Sequence, residues 1–96
     1  GASEYLDELI RGLERPSTRD LAKEYLLETR GADRQALFAP RSASATTRAE
    51  LADVLGLLGD PDALPRLEEL AHDPDKDVAR AAERAARRIT VATSSQ

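Results

Sequence analysis

The pattern Thr18-Arg19-x-x-Ala22-x-x-Tyr25-Leu26 returns 29 residues later as Thr47-Arg48-x-x-Leu51-x-x-Val54-Leu55, and Val78-x-x-x-Ala82-x-x-Ala85-Ala86 follows after a further 31. A self-similar period near 30 constrains the fold of this chain more than any other feature. Each unit is a pair of short amphipathic helices that cannot bury its own apolar face, so copies must stack side by side into a two-layer array.

Six helical segments carry the pattern. Leu6, Leu9, Ile10 and Leu13 form one apolar stripe over residues 3–14, with Gly12 weakening its end. Ser17 is expected to cap a second helix over 17–30, with Asp20 as its capping-box acid. Thr18, Ala22, Tyr25, Leu26 and Thr29 point inward on it, and Gly31 stops it. A short third segment over 32–39 offers Leu37 and Phe38 and ends at Pro40, and residues 40–46 read as a mobile loop. Thr47-Arg-Ala-Glu50 is expected to be the capping box of a helix to Leu58, with Thr47, Leu51, Val54, Leu55 and Leu58 on one face and Gly59 as its stop. Asp60-Pro61 opens the fifth segment, in which Leu64, Leu67, Leu70 and Ala71 align and Pro65 kinks the first turn. The last helix, over 75–90, turns Val78, Ala82, Ala85, Ala86 and Ile89 inward, and 91–96 is a frayed tail.

Composition agrees with an all-α chain. Of its 96 residues 41% are apolar, mostly Ala and Leu, and 3% are aromatic: Tyr5, Tyr25 and Phe38. No cysteine is present, which excludes disulfides and thiolate metal sites. No apolar run approaches the ~20 residues of a membrane span, no signal peptide is visible, and a cytoplasmic location is expected. Gly1-Ala2-Ser3 reads as a cloning remnant ahead of a domain cut from a longer protein. A net charge of −4 weighs against nucleic acid as the main partner.

The run Leu55-Gly-Leu-Leu-Gly-Asp-Pro-Asp-Ala-Leu-Pro-Arg-Leu67, with Leu70, Asp73-Pro-Asp-Lys-Asp-Val78 and Ala81-Ala82, resembles a bacterial HEAT repeat, in particular the short variety of the phycobilin lyases. The resemblance is strong over 47–90 and rests on periodicity over 3–46. It implies a right-handed α-α superhelix, a short α-solenoid of about three helix pairs, with repeats over 3–31, 32–59 and 60–90. Family repeats often place an arginine directly after the valine, but here Ala79 stands there and Arg80 follows. No aspartate precedes Arg19 or Arg48 to stack on such an arginine, so an ionic ladder between repeats is not expected.

No catalytic constellation emerges. His72, the one histidine, falls where a cation suits a helix C-terminus, and it has no second ligand for a metal. Asp60, Asp62, Asp73, Asp75 and Asp77 lie at helix starts, where capping explains them, and lack the spacing of a calcium loop. Ser and Thr over 42–47 have no triad partner; Arg41-Ser42-Ala-Ser44 suits a solvated loop better than a kinase site. Gly56 and Gly59 are not followed by the Gly-Lys-Ser/Thr of a phosphate loop. No cofactor or metal is expected.

The outward faces are more informative. Arg80, Arg84, Arg87 and Arg88 fall within about 100° of arc, opposite the core stripe of the last helix. In solenoids of the resembling kind the second helix of each pair lines the groove. That implies an apolar spot at Leu27, beside Lys23 and Glu24, a smooth floor of Ala49, Ala52, Asp53 and Gly56, and a basic wall. The competing reading is a solvated face in which Asp77 pairs with Arg80 and Glu83 with Arg87. The functional expectation is a non-catalytic module that binds an acidic protein or peptide. The alternative is nucleic-acid backbone binding through the arginines, disfavoured by charge and by the scarcity of aromatics for stacking. A role as an enzyme subunit like the lyases rests on fold analogy.

Overall fold

The computed structural model describes residues 2–38 and 44–94, of Ala2 and Ser3 the backbone alone. Its described residues form six α-helices and one 3-10 turn, with no strand. They are α1 (Ala2–Gly12), α2 (Pro16–Leu27), α3 (Gly31–Leu37), α4 (Ala45–Leu58), α5 (Leu64–Leu70) and α6 (Lys76–Ser94), with the 3-10 turn at Pro61–Ala63. Helix α1 packs on α2 and α5 on α6, while α4 lies between α2 and α6 and α3 touches α1. This is a small all-α solenoid of stacked helices.

The periodic leucines supply the core. Leu6, Ile10 and Leu13 of the first stripe are buried, with Leu9 at its edge. Leu26, Leu37, Leu55, Leu67 and Ile89 are fully enclosed, joined by Val54, Val78 and by Ala81, Ala82 and Ala85 of α6. Full burial of a leucine contributes about 1.5–3 kcal/mol, so these chains hold the layers together. Thr18 and Tyr25 do not join the core. Both are exposed, although their partners one period on, Thr47 and Val54, are buried.

Several helix boundaries correct the sequence reading. Pro16, not Ser17, opens α2: a proline at the first position has a preset φ and no N–H to satisfy. Ser17 makes no capping bond; Arg15 stands at the N-cap, also without a side-chain bond. Helix α2 then ends at Leu27, because the Thr29 hydroxyl and N–H both donate to the Leu26 carbonyl (2.8 and 3.2 Å). Gly31 keeps a left-handed φ of 56° but starts α3 instead of stopping α2. Helix α4 begins two residues before Thr47. Its N-cap is Ser44, whose Oγ accepts from the Thr47 N–H at 3.2 Å. Of the expected loop, 40–43 lie outside the described residues, as does Pro40's role as a stop; 44–46 are the cap and first turn of α4.

Gly59 stops α4 as expected, in the left-handed conformation (φ 69°) that a side chain disfavours. Asp60 Oδ1 accepts from the Asp62 N–H at 2.9 Å and opens the 3-10 turn, the form taken by the irregularity expected around Pro65. At the start of α6, Asp75 Oδ1 accepts from the N–H groups of Asp77 (2.9 Å) and Val78 (3.2 Å). Residues 91–94 continue α6 and are no frayed tail; Thr93 donates to the Ile89 carbonyl at 3.0 Å and Ser94 to that of Thr90.

Candidate groove across the second helices

Charged side chains tie the helices in series. Lys23 on α2 donates to Asp53 Oδ2 at 2.6 Å and to Glu50 Oε2 at 3.1 Å, both on α4. Arg19 Nε donates to the Leu13 carbonyl at 2.9 Å and lies 3.6 Å from Glu50. Arg48 on α4 then grips Asp73 ahead of α6 with two bonds, Nε to Oδ2 at 2.8 Å and Nη2 to Oδ1 at 3.2 Å. An ionic ladder therefore exists, contrary to the expectation. It uses acids one period downstream instead of an aspartate beside each arginine, so adjacency in sequence did not reveal it.

Protonation follows from these interactions. The Arg48 hydrogen bond, reinforced by the Asp75 N–H, outweighs burial and holds the Asp73 carboxyl below its usual range. Hydrogen bonding to Asp73 pushes the Arg48 guanidinium up against the cost of its burial. Burial alone would lower the Lys23 ammonium; together the Asp53 and Glu50 bonds overcome it and raise that pKa.

A groove of about 400 Å³ runs across α2, α4 and α6. Lys23, Glu50 and Asp53 form one bank, Ala49 the floor, and Asp77, Arg80 and Arg84 the other bank. Four of the seven sequence-predicted residues meet here: Ala49, Asp53, Arg80 and Arg84. The other three do not. Leu27 is half-buried against the core, since α2 turns it toward its neighbours. Arg88 is exposed a turn beyond Arg84. Arg87 lines a separate cavity of about 530 Å³ with Leu64, Ala71, Ala86 and Thr90, between α5 and α6.

Two other parts of the expected floor are displaced. Ala52 is fully buried, and Gly56 packs so closely on α6 that a Cβ there would lie 2.7 Å from Ala85 Cβ. The Asp77–Arg80 and Glu83–Arg87 pairs of the competing reading do not form; among the described residues Arg80, Arg84, Arg87 and Arg88 have no ion-pair partner. His72 points Nδ1 at the Glu68 carbonyl, 2.9 Å away. No helix among the described residues is long and apolar enough to cross a membrane.

The family profile for HEAT repeats matches residues 34–95, well over half of the chain. The chain belongs to the HEAT-repeat family. Its α4-to-α6 stack is thus the part that the family pattern covers, and the groove bank of α6 lies inside it. HEAT repeats are in general protein-interaction and scaffold modules and typically non-catalytic. Neither a curated protein nor a solved structure matches the chain.

Proposed function

We propose that this HEAT-repeat chain, built of units over 3–31, 32–59 and 60–90, is a cytoplasmic, non-catalytic module whose groove binds an acidic peptide segment. The observation that carries the reading is the contrast between its two banks. Lys23 is held by two carboxylates, whereas Arg80 and Arg84 face the same groove beside Asp77 with no ion pair among the described residues. A guanidinium offers planar, paired donors to a carboxylate and keeps its charge, so the α6 bank reads acids and the Ala49 floor lets a backbone approach. Arg87 and Arg88 extend the positive field along α6 and steer the acidic partner.

The test is binding of fluorescein-labelled acidic peptides, with an oligoglutamate as first probe, to wild type and to Arg80→Glu/Arg84→Glu. Loss of binding in the double variant, at an unchanged melting temperature, is expected, because exposed charges contribute little to stability. Equal binding by both proteins would refute the reading. Capture of single-stranded DNA by wild type, lost in the variant, with no peptide bound, would put the nucleic-acid alternative in its place.

A further inference from the structure

The groove across α2, α4 and α6 is lined by charges of both signs. Its cations are Lys23, Arg80 and Arg84 and its carboxylates Glu50, Asp53 and Asp77. Arg19, just outside the lining, lies 3.6 Å from Glu50, so that carboxylate is attended by two cations. Asp53 has Lys23 alone and keeps 48% of its side chain exposed, against 23% for Glu50. On the far bank Asp77, like Arg80 and Arg84, makes no ion pair among the described residues. With Arg19 counted, these four cations exceed the three carboxylates by a single positive charge. A run of acids would satisfy the two arginines, but Asp53 and Asp77 would repel it, and it would more than reverse that excess.

Spacing narrows the ligand further. Arg80 and Arg84 are four residues apart on α6, about 6.0 Å along its axis at 1.5 Å per residue. In an extended peptide alternate side chains share a face and repeat at roughly 6.4–6.8 Å, while the residue between them points the other way. Acids at i and i+2 therefore match the two guanidiniums, and residue i+1 projects toward the bank that holds Asp53. Between the banks, Ala49 and the buried Ala81 present only methyl groups to an approaching backbone. A helical ligand with acids at i and i+4 would also span about 6 Å. One turn of it, a cylinder 10–12 Å across and 5.4 Å tall, occupies about 420–610 Å³ and overfills a groove of about 400 Å³.

We propose that the groove selects an extended segment of the pattern acid–base–acid, with the acids on Arg80 and Arg84 and the base between them on Asp53. The proposal rests on the acid-binding reading of this groove and names the charge pattern of its ligand. Asp53 is the specificity-determining residue. Its Oδ2 holds Lys23, and its Oδ1 accepts from the ligand's base. Such a segment carries a net charge of −1, the complement of the groove's excess, and each of its charges meets an opposite one.

The test is fluorescence anisotropy of three fluorescein-labelled pentapeptides with the full 96-residue chain. They are Glu-Lys-Glu-Lys-Glu, the same residues in blocks as Glu-Glu-Glu-Lys-Lys, and pentaglutamate. Wild type should bind the alternating peptide roughly two- to five-fold more tightly than either of the others, the scale of one partly exposed ion pair. Asp53→Asn, which leaves Lys23 its bond to Glu50, should abolish that preference. Replacing the peptide's lysines by glutamine should lose the same factor on wild type and nothing on Asp53→Asn, and this arm leaves the protein untouched. If wild type binds pentaglutamate or the blocked peptide as tightly as the alternating one, and Arg80→Glu/Arg84→Glu loses them all, the pattern is overturned and the acid-binding groove stands. A preference that survives in Asp53→Asn overturns the pattern as well, since another group then reads the base. Binding of none of the three peptides would overturn both the pattern and the groove reading beneath it.

Discussion

Gly56→Ala sets two opposed effects against each other. Gly56 lies inside α4, where replacing glycine by alanine ordinarily stabilises a helix by about 1 kcal/mol. A Cβ at this position would lie 2.7 Å from the Cβ of Ala85 and 2.8 Å from its backbone α-carbon. Carbon atoms rest at about 3.5–4.0 Å, so α4 and α6 would have to separate by about 0.7–1.3 Å. Neither clashing atom is a rotatable side-chain end, and overpacking of this kind costs about 1–3 kcal/mol. The rigid geometry puts the cost near 3, and the net loss is about 2 kcal/mol. In a domain of this size that lowers the melting temperature by roughly 8–16 °C, at about 4–8 °C per kcal/mol. Thermal and urea unfolding followed by circular dichroism measure it directly. Adding Ala85→Gly removes the methyl group of α6 but leaves its backbone in the way, and puts a second glycine into a helix, so the double variant should recover little. A Gly56→Ala protein as stable as wild type, or more stable, would refute the close approach of α4 and α6. Full rescue by Ala85→Gly would show that the α6 backbone itself stands clear of position 56.

Three further outcomes follow from the same packing. Leu55→Ala and Leu67→Ala, both fully enclosed, should each cost about 2–5 kcal/mol in urea unfolding. Ser44→Ala should cost about 1 kcal/mol by the same measurement, since Ser44 caps α4; a change too small to detect would return it to the loop that the sequence suggested. The Asp73 carboxyl titrates below the ordinary 3.8, so its stabilisation is complete above that pH and drains away as pH falls through the lower folded value. Melting temperatures between pH 5 and 2 should therefore fall more steeply for wild type than for Arg48→Met, and parallel curves would mean that the Arg48–Asp73 pair is not formed in solution.

The stripes were legible because burial on a helix repeats with the helix itself. Leu6, Ile10, Leu13, Leu51, Leu55, Leu67 and Ile89 were all placed inward by spacing alone, and all are buried. Caps were less legible, because the same residue types satisfy more than one register. Ser44 and Thr47 both suit the start of α4, and Glu50 made the Thr47 box attractive. In the fold Glu50 takes the Lys23 ammonium, and the cap falls to Ser44. The ladder was illegible for a related reason. Lys23 and Asp53, or Arg48 and Asp73, meet only after the helices have stacked, so nothing local marks them.

The groove divides along the same line. A helical wheel sets Arg87 within about 20° of Arg80 at 100° per residue, which made them one stripe. They are nonetheless seven residues apart, about 10.5 Å along the axis at 1.5 Å per residue, and different neighbours flank α6 at the two heights. Arg80 shares its cavity with Ala49 and Asp53 of α4, while Arg87 shares its own with Leu64 of α5. Angle is a property of one helix and can be read from its residues. Which cavity an angle opens into depends on the helices beside it, and two arginines on one stripe therefore belong to different surfaces: Arg80 to the groove, Arg87 to the cleft between α5 and α6.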